Sequence, residues 1–122
     1  MSIVENYKTM RFYQVALELA DLTFSITKTF PDNERYGLID QMNRSSVSVV
    51  SNIAEGSGRD TKPQLFQFFS HAKGSLNELD AQFDIAYRRG YICDEQLDRV
   101  QELISEVSRT MWGFRQRLET CQ

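Results

Sequence analysis

Four apolar stripes constrain this chain more than anything else in it. Phe12, Ala16, Leu19, Thr23, Ile26 and Phe30 alternate spacings of four and three residues, which is the period of a helix with one buried face. A second stripe, Tyr13, Leu17, Ala20 and Phe24, lies beside the first, so the apolar face of this helix is wider than one neighbour needs. Ile39, Met42, Ser46, Val49 and Ile53 repeat the rhythm, flanked by Val47, Val50 and Ala54. Leu65, Phe69, Ala72, Leu76, Leu79, Phe83 and Ala86 form the third stripe. Leu97, Val100, Ile104, Val107, Met111, Phe114 and Leu118 form the fourth.

The breaks between stripes are short. The first helix is expected from about Thr9 to Thr29, ended by Pro31. The second runs from about Asn33, capped by Asp32, to Gly56, where Gly56 and Gly58 suit left-handed helix ends. Thr61-Lys62-Pro63-Gln64 reads as a capping box, and the third helix runs on to Arg89. Gly90 ends it and Asp94 caps the fourth. Short connections make consecutive helices antiparallel neighbours. The expected fold is all-α, an up-down-up-down antiparallel four-helix bundle spanning residues 1–122 as a single domain.

Composition narrows the function classes. Hydrophobic residues make up 41% and charged residues 25%, which suits a packed globular chain rather than a disordered one. The net charge of -3 argues against a general nucleic-acid coat and leaves a local basic patch open. No apolar run reaches the roughly 20 residues that span a bilayer, and the N-terminus lacks a signal-peptide layout. A cytoplasmic location and no membrane partner are expected. Cys93 and Cys121 fall at opposite ends of the last helix, roughly 40 Å apart by helical rise, so two free thiols are expected.

The search for chemistry finds little. His71 is the only histidine, and carboxylate-bridged metal bundles need Glu-x-x-His pairs from facing helices. No Cys/His cluster has zinc spacing. Gly56-Ser57-Gly58 is not a phosphate loop, because no strand precedes it and no Gly-Lys-Ser/Thr follows. An enzyme is not expected, nor a metal, a cofactor or a small-molecule substrate.

Two surface features stand out. Gln41, Arg44, Ser48, Asn52 and Glu55 lie on the face of the second helix opposite its core stripe. That face is built largely of small neutral polar residues, including Ser45 and Ser51. It is either a solvated face, or one that meets another chain or a packed polar layer. The topology also gathers Lys8, Arg11, Arg59, Lys62, Arg109, Arg115 and Arg117 at one end of the bundle, against fewer acids. Arg115 and Arg117 suit a helix C-terminus. Arg11 and Lys62 sit near N-termini, so an anionic partner is the other reading of this end.

Several strings carry a family resemblance. Phe30-Pro31, Glu34-x-Tyr36-Gly37-Leu38, Gln41-x-x-Arg44 and Ser51-Asn52-Ile53-Ala54-Glu55-Gly56 occur in order. Gly58-Arg59, Gly74-Ser75-x-x-Glu78-Leu79 and Gly90-Tyr91-Ile92 continue the series. Over nearly its whole length the chain resembles the bacterial four-helix-bundle proteins encoded in 23S rRNA intervening sequences. The same fold family resembles the accessory variability determinant of diversity-generating retroelements. That likeness implies a homo-oligomer, a pentameric ring, with RNA or a reverse transcriptase as partner. It makes the small polar face of the second helix and the extra stripe of the first candidate subunit contacts. Val50 stands where the family commonly has proline, and the acidic net charge differs from the basic accessory proteins.

Overall fold

The computed structural model describes residues 3–120. Four helices account for most of them: α1 (Arg11–Thr27), α2 (Asp40–Ser57), α3 (Lys62–Arg88) and α4 (Asp94–Thr120). No strand occurs among the described residues. The helices pack in the cyclic order α1, α2, α3, α4 and back to α1. The α2–α3 pairing is the most extensive and α3–α4 the least. Contacts between helix ends fix the antiparallel directions. Thr27 at the end of α1 donates to Asn43 near the start of α2 (2.9 Å), and Lys62 at the start of α3 donates to the carbonyl of Leu118 near the end of α4 (2.6 Å).

The core is one cluster running the length of the bundle. Phe12 meets Phe69 edge-on at 5.5 Å and Phe114 at 5.4 Å, so α1, α3 and α4 interlock through aromatic rings. Val15 and Leu103 are also buried, although they lie off the expected stripes. Each helix has two neighbours, which widens its buried arc beyond a single stripe. Thr23 and Ser46 sit in the core without orphaned hydroxyls, because each donates to a carbonyl of its own helix.

Several boundaries differ from expectation. A 3-10 turn at Tyr7–Thr9 precedes α1, which ends at Thr27, two residues early. Phe30 is buried against Tyr91 at a ring distance of 5.1 Å, so the turn after α1 is anchored by packing. The second helix does not begin at Asn33. A 3-10 turn (Asp32–Glu34) and a wide π turn (Arg35–Ile39) precede α2, and Gly37 has non-helical angles of φ -116° and ψ -106°. Asp32 lies inside the 3-10 turn, and no side-chain capping hydrogen bond from it occurs among the described residues. Neither Gly56 nor Gly58 is left-handed; among the described residues only Gly90 has positive φ, at 78°. Thr61 does cap α3, its hydroxyl accepting from the amide of Gln64 at 3.4 Å. Asp94 lies inside the first turn of α4, where its carboxylate accepts a hydrogen bond from the Tyr87 hydroxyl. The Gln96 side chain accepts from the Cys93 amide instead.

Candidate functional site

The small polar residues of α2 divide between an internal seam and the surface. Ser48 and Ser75 share a hydroxyl–hydroxyl hydrogen bond of 2.9 Å between α2 and α3. Ser45 donates to the Glu78 carboxylate at 3.0 Å. Asn52 folds back and donates to the carbonyl (2.8 Å) and hydroxyl (3.1 Å) of Ser48. One turn further on, Gly56 lies against Phe68. Small side chains on α2 therefore let two helix backbones approach closely and join them through a polar layer. The α2–α3 half of that face belongs to the chain's own fold.

Gln41, Arg44 and Glu55 remain exposed. Arg44 pairs with Asp40 on its own helix (3.2 Å), and Glu55 pairs with Arg59 (2.9 Å). Gln41, Arg44, Ser48 and Gln82 border a hollow of about 300 Å³, and the buried side-chain amide oxygen of Gln82 has no hydrogen-bond partner among the described residues. Sequence reasoning named Ser45 but missed Glu78 and Gln82. The Gly74-Ser75-x-x-Glu78 spacing, one turn from serine to glutamate, was the signal for Glu78.

Beside this face, Leu17 and Phe24 of α1 and Val47 of α2 are exposed. Phe24 and Val47 share one open cleft. These belong to the second stripe of α1 and the flank of α2. The core does not absorb them.

Three of the seven residues expected at the basic end share a cleft. Arg11, Arg109 and Arg117 line a cleft of about 380 Å³ between the start of α1 and the second half of α4. Arg11 pairs with Glu106 at 2.5 Å, and that hydrogen bond raises its pKa above the ordinary arginine value. Arg109 has no ion-pair partner among the described residues, and Arg117 lies over the Phe114 ring at 5.8 Å. The first turn of α1 carries no acid and no side-chain cap. Lys8 is exposed just before this helix.

Arg59, Lys62 and Arg115 point to other tasks. Arg59 is stacked over Phe68 at 4.7 Å. Arg115 is stacked over Phe66 at 4.5 Å and pairs with Glu119 at 2.9 Å. Lys62 satisfies a carbonyl at the end of α4. Aromatic faces on α3 attract and partly bury the guanidinium groups of Arg59 and Arg115.

His71 is exposed and meets the edge of Phe68. Among the described residues no group of three or more His, Cys, Asp or Glu could hold a metal, and no helix is long and apolar enough to cross a membrane. Cys93 is exposed, and Cys121 lies outside the described residues.

Fold and surface together define an all-α bundle with an internal polar seam and an arginine-lined outer cleft. A model of the family described as 23S rRNA-intervening sequence protein matches residues 8–113, and the chain belongs to that family. A crystal structure of a protein of unknown function from the S23 ribosomal protein family of Bacteroides thetaiotaomicron has the same fold. Its TM-score is 0.77 at 21% identity, over 85% of this chain and 97% of that one. No curated protein sequence matches the chain.

Proposed function

We propose that the protein is a non-enzymatic, self-associating helical module of the cytoplasm that docks an anionic partner. The carrying observation is the α1–α4 cleft, where Arg11, Arg109 and Arg117 gather in a chain of net charge -3. Cations concentrated against the overall charge focus the field where counter-charge is to bind. A phosphate backbone is a natural occupant, since bidentate guanidinium contacts suit phosphate oxygens. The finer reading is an RNA-binding or reverse-transcriptase accessory protein, as the resemblance to the accessory variability determinant implies.

Self-association is favoured by the exposed Leu17, Phe24 and Val47, since contiguous apolar surface commonly marks contacts. The family likeness suggests a five-membered ring, which would repeat the cleft around an axis and add avidity. The test is RNA binding by wild type and by Arg109→Glu/Arg117→Glu at about 50 and 200 mM salt, where counterion release makes affinity fall steeply. Wild type should bind and weaken with salt, and the double variant should not bind. Equal binding by both, or none by wild type, refutes the RNA reading. Light scattering of wild type and Phe24→Glu reads assembly separately, with the variant expected to dissociate.

A further inference from the structure

The seam between α3 and α4 holds a slot that the arginine cleft and the α1–α2 face leave unused. This is the least extensive of the helix pairings around the bundle. Small residues, Ser70 on α3 and Ser108 on α4, line it where large ones would close it. The slot has a volume of about 310 Å³, at the small end of the range for ligand pockets. Phe69 and Met111, both buried, border it, and so does Trp112, whose surface is 54% exposed. A large indole left half in water beside apolar surface is unusual for a residue of this cost.

Both ends of the slot are cationic. At one end the Lys73 ammonium donates to the Ser108 hydroxyl at 2.9 Å. At the other, Arg115 stands over Phe66 at 4.5 Å and 5.6 Å from the Trp112 ring. The antiparallel register separates these ends by about 10 Å. Among the described residues lining the slot there is no carboxylate. Arg115 is already neutralised by Glu119, whereas Lys73 holds only a neutral hydroxyl. Lys73 also acts on Asp80, which lies outside the slot further along α3. The charge without an ion pair among the described residues is therefore at the Lys73 end.

We propose that this slot binds a small amphipathic anion: a flat aromatic body bearing one carboxylate, sulfonate or phosphate. The ring covers Phe69 and Met111 and stacks on Trp112. The anionic group meets Lys73 and the hydroxyls of Ser70 and Ser108. Neither half reaches the full affinity alone. An inorganic anion gains one screened contact with an exposed lysine. An uncharged aromatic gains apolar burial but leaves the lysine uncompensated. The combination gains both, which sets the ligand class.

Trp112 is the only tryptophan, so its indole N–H gives a single resonance located in the slot. The probes are anilinonaphthalene sulfonate, its uncharged analogue N-phenyl-1-naphthylamine, and inorganic phosphate, each titrated into the isotopically labelled protein. The sulfonate should shift the Trp112 indole and the Lys73 amide saturably, and the neutral analogue should bind about fivefold more weakly. Phosphate alone should shift neither. Lys73→Glu should weaken the sulfonate about tenfold and leave the neutral analogue unchanged. Lys73→Gln should fall between, while Arg109→Glu and Phe24→Glu should behave as wild type. A sulfonate that binds without moving the Trp112 indole overturns the proposal, as does a Lys73→Glu protein that binds both probes like wild type.

Discussion

Replacing Gly56 with alanine is expected to destabilise the bundle by about 1–2 kcal/mol, against the ordinary preference of helices for alanine. A β-carbon at Gly56 would lie 2.7 Å from Cβ of Phe68, and 3.4 Å from both Cδ1 and the carbonyl oxygen of Leu65. Real β-carbons essentially never approach closer than 3.0 Å, so something must move by at least 0.3 Å (3.0 - 2.7), and by 0.7 Å to reach 3.4 Å. The obstructing atom is not the end of a flexible chain. Cβ of Phe68 moves only with the backbone of α3, and α3 is held by Leu65, Phe69 and Ala72 in the core. The α2–α3 pair must part, straining the Ser48–Ser75 and Ser45–Glu78 hydrogen bonds. Overpacking of this kind costs about 1–3 kcal/mol. The propensity gain is at most about 1 kcal/mol, and less here because Gly56 is in the last turn of α2. Gly74→Ala calibrates that gain. It lies within α3, and a methyl group added there would meet nothing within 4 Å, so it should stabilise by about 0.5–1 kcal/mol. Urea unfolding followed by far-ultraviolet circular dichroism measures both. A Gly56→Ala protein as stable as wild type, or more so, refutes the close-approach reasoning.

Leu79→Ala removes a side chain that is fully buried at the centre of the core, and urea unfolding should show a loss of about 2–5 kcal/mol. Thr61→Ala removes the α3 cap; because the bond is long at 3.4 Å, the loss should sit near the low end of the usual range, about 0.5 kcal/mol. The Asp80 carboxyl is raised above its ordinary value of 3.8, first by burial and then by Asp84, with Lys73 opposing. A raised carboxyl means that the folded state holds its proton more tightly, so stability falls as pH rises through the window that starts at 3.8. Asp80→Asn should therefore be more stable than wild type at neutral pH, and the urea midpoints should converge below that value.

The stripes were legible because period and burial coincide. Phe12, Leu19, Val49, Leu76 and Val107 all lie where the spacing puts them. Val15 and Leu103 were not, because a helix with two neighbours buries a second row that a single stripe does not reveal. The start of α2 is hidden in the sequence because the π turn at Arg35–Ile39 keeps helix-forming residues while Gly37 leaves helical angles. The polar face of α2 was legible as unusual, but composition cannot say whose helix it meets. The structure gives Ser48 and Asn52 to the α2–α3 seam and leaves Gln41, Arg44 and Glu55 outside. Topology alone put the basic residues at one end. Their division into a cleft and two aromatic stacks depends on helix rotation, which spacing does not fix to the needed precision.

The pairing of the first and last helices has a consequence in time. α1 packs on α4 as well as on α2, and the Arg11–Glu106 contact joins residues 95 apart in sequence. During synthesis α4 is the last of the four helices to leave the ribosome. At about 5–20 residues per second, its 27 residues take roughly 1–5 s to emerge. Helical hairpins close within microseconds to milliseconds. The α2–α3 hairpin is local and can be complete before α4 exists. For those seconds the α4-facing side of α1, with Phe12 at its start, has no cover. A ribosome that stalls within α4 would hold a three-helix chain with a bare apolar flank, a natural target for chaperones and for premature association with a neighbouring nascent chain.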